Sequence, residues 1–427
     1  MPRLLLPNLM FEDELDGTSH RVPALARKSA GQLAAVMGLL SSSSASGTAS
    51  DQDDIVIVSE DGVPSEIPSA LQHIRFETLA SLLRMDLTAF EFQPWGWSEA
   101  AINLGEKLAL KFSAPDPNVV KLVNSREFLA PLDRCWPLSM EAQDGELPGG
   151  RLCWSADQVN EALQEFAALG FAKWVIKSNL SQAARNRVCG DGLEISATTQ
   201  NWLRKRFVDK QPVYAEPWFE RVAECGLQFN VPPITSDQSI EYIGGCEMLT
   251  DDFGRYRGSI VSSTVDGWWQ QAIPRCAEIA TAARQLEFFG PLGMDCMLVR
   301  NPVDTGLWLR PCHDVNGRFT MGRVALSLSH WLRPSEIGYW CHGVAKSDAA
   351  DRNLFEQQAG ENVRIIPTSP ARYGSEKTTF QTALLISADC GRLTTVVSEI
   401  LSQNIRGPFD QLTASDLSTA ANEKSPP

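Results

Sequence analysis

Gly293-Met294-Asp295-Cys296-Met297-Leu298-Val299 and Pro311-Cys312-His313-Asp314-Val315-Asn316-Gly317-Arg318 decide the reading of this chain. Both segments read as strands. Between them lies Asn301-Pro302-Val303-Asp304-Thr305-Gly306, which is turn chemistry. A turn centred between Asp304 and Thr305 sets Asp295 opposite Asp314 in a hairpin. Asn316 then shares the face of Asp314 through the two-residue strand period, and His313 points away as a structural residue. Two facing carboxylates repel unless a proton or a cation joins them. Asp, Asp and Asn present only oxygen ligands, which suits Mg²⁺. Magnesium held by so few protein ligands completes its shell with a nucleotide phosphate. A one-residue bulge would instead put the two carboxylates on opposite faces.

Composition sets the frame. A chain of 427 residues, 43% apolar and 21% charged, has room for two or three globular domains. Its net charge of −14 argues against a nucleic-acid surface, which needs a basic field. The apolar run in Met1-Pro2-Arg3-Leu4-Leu5-Leu6-Pro7 is too short for a signal peptide, and Glu12, Asp13, Glu14 and Asp16 follow it. No stretch is long enough to span a membrane, so the expectation is a soluble, cytoplasmic protein. Ten cysteines without a C-x-x-C pair read as buried small apolar residues rather than a zinc site. The twelve tryptophans, Trp95, Trp97, Trp268 and Trp269 among them, read as core or interface anchors; only composition favours a carbohydrate-binding face.

The first 120 residues alternate strand and helix patterns, the sign of a parallel, Rossmann-like sheet without a G-x-G-x-x-G fingerprint. Arg3–Leu6 and Ile55–Val58 are the strands, Ala24–Leu40 is a helix, and Ser98 caps a helix running to Leu110. Ser41–Ser50 is a low-complexity loop. A second region starts near Lys121. Ser155-Ala156-Asp157-Gln158 is a capping box for a helix ending at Gly170. Phe171–Ile176 and Val213–Glu216 are strands, and Ser196–Phe207 is a basic-faced helix between them. Further strands follow, then a helix over Pro274–Phe289, the hairpin, and a helix over 322–332. A strand over Phe380–Ala388 and a helix over Val396–Gln403 precede a polar, disordered tail from Ala414.

Three single residues stand out beside the hairpin. Lys177 ends a strand and precedes the polar loop Ser178–Gly192, a place suited to phosphates, although G-x-x-x-x-G-K-[ST] is absent. Glu216 ends a strand broken by Pro217, where exposed backbone suits an adenine. Glu224 follows eight residues later, where a carboxylate suits ribose hydroxyls. Taken singly, each also reads as a surface residue.

In order, the chain shows Val175-Ile176-Lys177, Val213-Tyr214-Ala215-Glu216-Pro217-Trp218, Gly293-Met294-Asp295 and Asp314-Val315-Asn316-Gly317-Arg318. This series resembles the ATP-grasp superfamily over residues 120–330. The resemblance implies an α/β (α+β) protein: an N-terminal Rossmann-like region over 1–120, then a two-subdomain ATP-grasp fold over 121–345, divided at 212/213. A C-terminal extension over 346–413 and a disordered tail over 414–427 complete it. It also implies residue roles. Lys177 binds ATP phosphates, Glu216 with the backbone of Trp218 and Phe219 reads adenine, and Glu224 binds ribose. Asp295, Asp314 and Asn316 hold Mg²⁺, and Arg318 faces the transferred phosphate. Arg126 stands where many members have a second phosphate-binding lysine.

Three departures accompany the resemblance. Ser178–Arg187 has no glycine where such loops are glycine-rich, Asp314 replaces the usual Glu, and Arg126 replaces the lysine. Arg185 and Arg187 offer compensating charge from a lid. The implied activity is an ATP-dependent ligase that activates a carboxylate as an acyl phosphate and joins it to an amine or thiol. The implied ligands are ATP, Mg²⁺ and small-molecule or peptide substrates. The alternative is a catalytically degenerate ATP-binding or interaction protein.

Overall fold

The computed structural model describes residues 1–41, 54–59, 63–138, 147–180, 186–251, 256–262, 267–302, 306–344, 362–378, 380–401 and 405–406. The Ser/Ala/Gly loop beyond Ser41, Arg185, the turn residues Val303–Thr305 and the C-terminal tail lie outside them. Contacts between residues group the chain into two units. One comprises residues 1–117, 246–264 and 318–406, and the other comprises 118–245, 265–317 and 407–427.

The first unit begins with a parallel sheet, as the alternating pattern leads one to expect. Its strands lie in the order Ile74–Thr78, Asp54–Val58, Arg3–Leu6, Glu91–Pro94, and every pair is parallel. Leu4, Leu5, Ile55 and Val56 are fully buried. Continuous apolar runs of this kind belong to strands covered on both faces. Ser98 caps the helix Glu99–Lys107 by accepting from the Ala101 N–H at 3.1 Å. The helix expected over Ala24–Leu40 is α-helical only to Leu33 and tightens to 3₁₀ over Ala34–Ser41. Its later part, Ala34-Ala35-Val36-Met37-Gly38-Leu39-Leu40, is buried all round, so packing rather than amphipathic spacing fixes its course.

The same unit holds an antiparallel set of strands, Tyr256–Val261, Ile337–Val344, Phe380–Ser387 and Arg364–Pro367. The helix Cys390–Leu401 packs Leu393, Val396 and Val397 against Leu249, Tyr339 and Leu385. The helix expected over 322–332 is two pieces, Met321–Ser327 and a 3₁₀ turn over Leu328–Trp331, with Thr320 as N-cap.

The second unit also has two sheets. In one, Lys173–Ser178 lies between Arg187–Asp191 and Val213–Pro217, and Arg151–Cys153 pairs with the latter, all antiparallel. The helix Ala156–Ala168 covers this sheet with Val159, Leu163 and Phe166. Ser155 accepts from the Gln158 N–H at 3.2 Å, and the Gln158 amide returns to the Trp154 N–H at 2.6 Å, one residue earlier than a standard capping box. In the other sheet, Glu220–Val231, Gly290–Arg300, Leu307–Asn316 and Arg134–Pro137 pair in that order. The helix behind it runs Gly267–Gln285 and carries Pro274 inside rather than at its start. Trp268, Trp269 and Ala272 are buried and anchor the turns before the proline, which outweighs the lost backbone hydrogen bond. Eight of the ten cysteines are buried, and all are free thiols. Among the described residues, no helix is long and apolar enough to cross a membrane.

Candidate functional site

The hairpin pairs Asp295 with Asp314 and Gly293 with Asn316, so the three residues share one face. The route to that register differs from the expected one. Near the turn, Arg300 pairs with Leu307 and Met297 with Arg310, two residues away from the pairing that a turn at Asp304–Thr305 sets. A bulge then restores it. Cys296 alone separates Met297 from Asp295, whereas Pro311, Cys312 and His313 separate Arg310 from Asp314. Pro311 has no N–H to give to a ladder, so the bulge forms where the ladder is already weakest. The Pro311 carbonyl accepts from the Cys276 thiol at 3.2 Å instead.

Asn316 donates its side-chain amide to Asp295 at 3.4 Å. Asp314 is held by Arg126: Nη1 reaches Oδ1 at 2.7 Å and Nη2 reaches Oδ2 at 3.0 Å. Arg126 is buried and Asp314 is a quarter exposed. Burial works against the Arg126 charge, but Asp314 and Glu216 more than offset it and push the guanidinium pKa up. Ser125 caps the short helix Arg126–Leu129 and so fixes the base of the Arg126 side chain. The Arg126 N–H donates to the Asn179 carbonyl at 2.9 Å, and Glu127 N–H to the Asn179 side chain at 3.0 Å. The first residues after Lys177 are thereby tied to Arg126.

Lys177 and Glu216 sit on neighbouring strands, Lys173–Ser178 and Val213–Pro217, and form an ion pair. Glu216 also accepts from Arg310 at 2.7 Å. Arg310 turns its Nε to Asp133 at 2.9 Å, and Tyr214 donates its hydroxyl to the same carboxylate at 2.6 Å. Burial alone would raise the Glu216 pKa; the charges of Lys177 and Arg310 override it and pull it down to about 2. Two cations and two anions therefore form one neutral, hydrogen-bonded network, which is how buried charge is tolerated.

Sequence reading missed Asp133 and Arg310. Arg310 sits in the otherwise apolar run Leu307-Trp308-Leu309-Arg310-Pro311-Cys312, and a charge there needs a buried partner. Gly149 marks the partner's place: a Cβ there would overlap the Asp133 carboxylate, so backbone must pass close.

Other expected residues are placed as follows. The Trp218 N–H donates to the Lys173 carbonyl at 2.8 Å, so this donor is already engaged and not free for a base. The expectation of free hinge backbone there overlooked that pairing continues past Pro217. Phe219 is buried, with its ring against Phe171 and Arg310. Glu224 lies on the strand Glu220–Val231, opposite Met297 and near His313. His313 faces Glu224 rather than pointing away, because the bulge breaks the alternation that the expectation assumed. Burial, together with the charges of Arg310 and Lys177, holds its pKa far below the usual range. Arg318 belongs to the first unit, where it pairs with Glu12 and donates to the Phe319 carbonyl at 2.9 Å.

Asp295, Asp314 and Asn316 are an oxygen-only donor set of the kind magnesium takes. Among the described residues, no trio of His, Cys, Asp or Glu is grouped to hold a metal, and this set has only two carboxylates. It fits a magnesium ion once Arg126 turns from Asp314 to another anion and that anion supplies further oxygens.

No protein-family model matches the chain, and no curated protein matches it in sequence. Solved structures do match. N5-carboxyaminoimidazole synthetase from Staphylococcus aureus is 10% identical, with 86% of this chain and 95% of that one covered at a TM-score of 0.52. The biotin carboxylase domain of Hydrogenobacter thermophilus 2-oxoglutarate carboxylase, solved with MgADP and bicarbonate, is 11% identical. It covers 94% of this chain and 90% of that one at 0.51. Rhizobium etli pyruvate carboxylase is 10% identical, with 95% of this chain and 38% of that longer one covered at 0.53. The chain has the fold of these enzymes, the ATP-grasp fold, in a divergent sequence.

Proposed function

We propose that the protein is a Mg²⁺-dependent, ATP-consuming carboxylate ligase. The reading rests above all on one observation: in a chain of ATP-grasp fold, Lys177, Glu216 and Arg310 are joined by ion pairs, Arg126 grips Asp314, and Asp314 lies opposite Asp295, which accepts from Asn316. The reaction would move the γ-phosphoryl group of ATP to a substrate carboxylate, giving an acyl phosphate and ADP. An amine or thiol then displaces phosphate. Lys177 binds the phosphates, and Glu216, fixed by Arg310, keeps the lysine aimed. Arg126 leaves Asp314 and follows the phosphate charge. A magnesium ion, when bound, neutralises charge building up on the transferred group. Asp295, Asp314 and Asn316 are the residues that would hold it. One solved structure of like fold, the biotin carboxylase domain of Hydrogenobacter thermophilus 2-oxoglutarate carboxylase, holds MgADP and bicarbonate, which supports nucleotide and carboxylate-like substrates here.

The second reading is a nucleotide-binding protein without turnover. The fork from Arg126 to Asp314 favours it, because it neutralises a residue that the metal needs. The glycine-free stretch Ser178–Arg187 favours it as well. A two-stage experiment tests both. Mg-ATP should raise the melting temperature under either reading. ADP and phosphate release on adding amino-acid and carboxylate pools should then occur only for the ligase. No thermal shift at millimolar Mg-ATP overturns both readings.

A further inference from the structure

Asn316 pairs with Gly293 and ends the strand Leu307–Asn316. Backbone just past a ladder frays unless another group takes up its hydrogen bonds. Gly317 has such a group. Its N–H donates to Oδ1 of Asn124 at 2.9 Å, although 193 positions separate the two residues. The other end of the same amide, Nδ2, donates to the Val120 carbonyl at 2.7 Å. Asn124 is only 6% exposed, so both bonds are made away from water. One acceptor and one donor are used in fixed directions; an aspartate lacks the donor and a leucine lacks both.

The packing agrees with the bonding. A Cβ on Gly317 would lie 2.8 Å from Nδ2 of Asn124 and 3.0 Å from the Phe288 ring. The Asn124 amide occupies the space that a side chain at 317 would take.

Asn124 also stands on a fixed base. It follows the helix Pro117–Val123, in which Val120 and Val123 are fully buried. Ser125 donates to the Leu122 carbonyl at 2.7 Å and accepts from the Phe128 N–H at 3.2 Å, joining that helix to Arg126–Leu129. Arg126, two residues beyond Asn124, grips Asp314. One short stretch of chain therefore holds the segment at 314 and again at 317, on either side of Asn316.

We propose that Asn124 is a positioning residue for the magnesium site, setting Asn316 by fixing the backbone directly after it. The proposal rests on the magnesium reading of Asp295, Asp314 and Asn316 above. The two holds differ in kind. The grip of Arg126 on Asp314 must open for the metal, whereas the bond from Gly317 to Asn124 uses no ligand atom and stays closed.

The test is titration calorimetry of the full chain with ATP in a chelator and with Mg-ATP. The wild type should bind ATP more tightly with Mg²⁺ than in the chelator. Asn124→Ala should forfeit most of that gain, roughly tenfold or more, as removal of groups that hold metal ligands does. In the chelator it should bind as the wild type does. Gly317→Ala disturbs the same contact from the other side and should forfeit the gain too. The double variant should lose no more than the worse single one, because both changes break one contact. Thermal melts without nucleotide show which variants are folded; should Asn124→Ala unfold, Gly317→Ala alone decides. Equal loss with Mg²⁺ and in the chelator would mark a general structural role and overturn the proposal. An untouched gain, or additive losses in the double variant, would overturn it as well. A wild type that gains nothing from Mg²⁺ would instead overturn the magnesium reading, and one that binds no ATP at all the nucleotide reading.

Discussion

Arg126 grips both carboxylate oxygens of Asp314, 188 positions away in the chain, in a two-pronged ion pair. A candidate metal ligand is thus neutralised by a candidate phosphate ligand. Metal and phosphate must therefore arrive together, since the metal needs the arginine to leave and the arginine needs a new anion. Manganese alone should not bind detectably at millimolar concentration, while manganese with ATP should. Electron paramagnetic resonance of free manganese, with and without nucleotide, reads this directly; tight binding of the bare ion would contradict it.

Asp314→Ala should remove metal-dependent ATP binding. It should also destabilise the protein by roughly 3 kcal/mol, because the buried guanidinium loses the carboxylate it grips with two nitrogens. The double variant Arg126→Met, Asp314→Leu should lose less stability than Asp314→Ala, since no charge is stranded. Denaturant titration of each variant without nucleotide measures this. Equal losses would mean the pair contributes little.

Glu216 makes stability depend on pH at the acid end. Its folded pKa of about 2 lies below the ordinary glutamate value of 4.5, so its contribution is present above 4.5 and is lost as pH falls toward 2. The size is about 3 kcal/mol. Glu216→Gln should therefore be less stable than wild type at pH 7 by this order, with the difference shrinking below pH 4.5. A constant difference across that window in urea melts would show that the carboxylate is not the group responsible.

Lys177→Met should lower Mg-ATP affinity by tenfold or more, the scale of one charge-assisted hydrogen bond. Folding should suffer less, because Arg310 still satisfies one oxygen of Glu216. Calorimetry and a thermal melt of the same sample separate the two effects.

Gly149→Ala tests the close approach to Asp133. The added methyl would overlap the carboxylate that holds Arg310 and Tyr214. A loss of about 2 kcal/mol in chemical melts is expected. An unchanged midpoint would mean that the backbone there yields freely.

The parallel sheet was legible because Leu4-Leu5 and Ile55-Val56-Ile57-Val58 are unbroken apolar runs. The facing of Asp295 and Asp314 was also legible, though two deviations cancelled. The turn end is displaced by two residues, and the bulge at Pro311–His313 returns the displacement. Alternation reports which face a side chain takes only while the ladder is regular, so His313 was misread. Asp133 could not be picked out, since its partners Arg310 and Tyr214 are 177 and 81 positions away. Only the lone arginine in an apolar strand announced that such a partner must exist.

The bulge also works as a clutch in the hairpin. The segments 297–300 and 307–310 keep one register, and the segment bearing Asp295 and Asp314 keeps another. Slack of two residues stored at Pro311–His313 uncouples them. A two-residue shift in the pairing nearer the turn is taken up there, and the carboxylates stay in step.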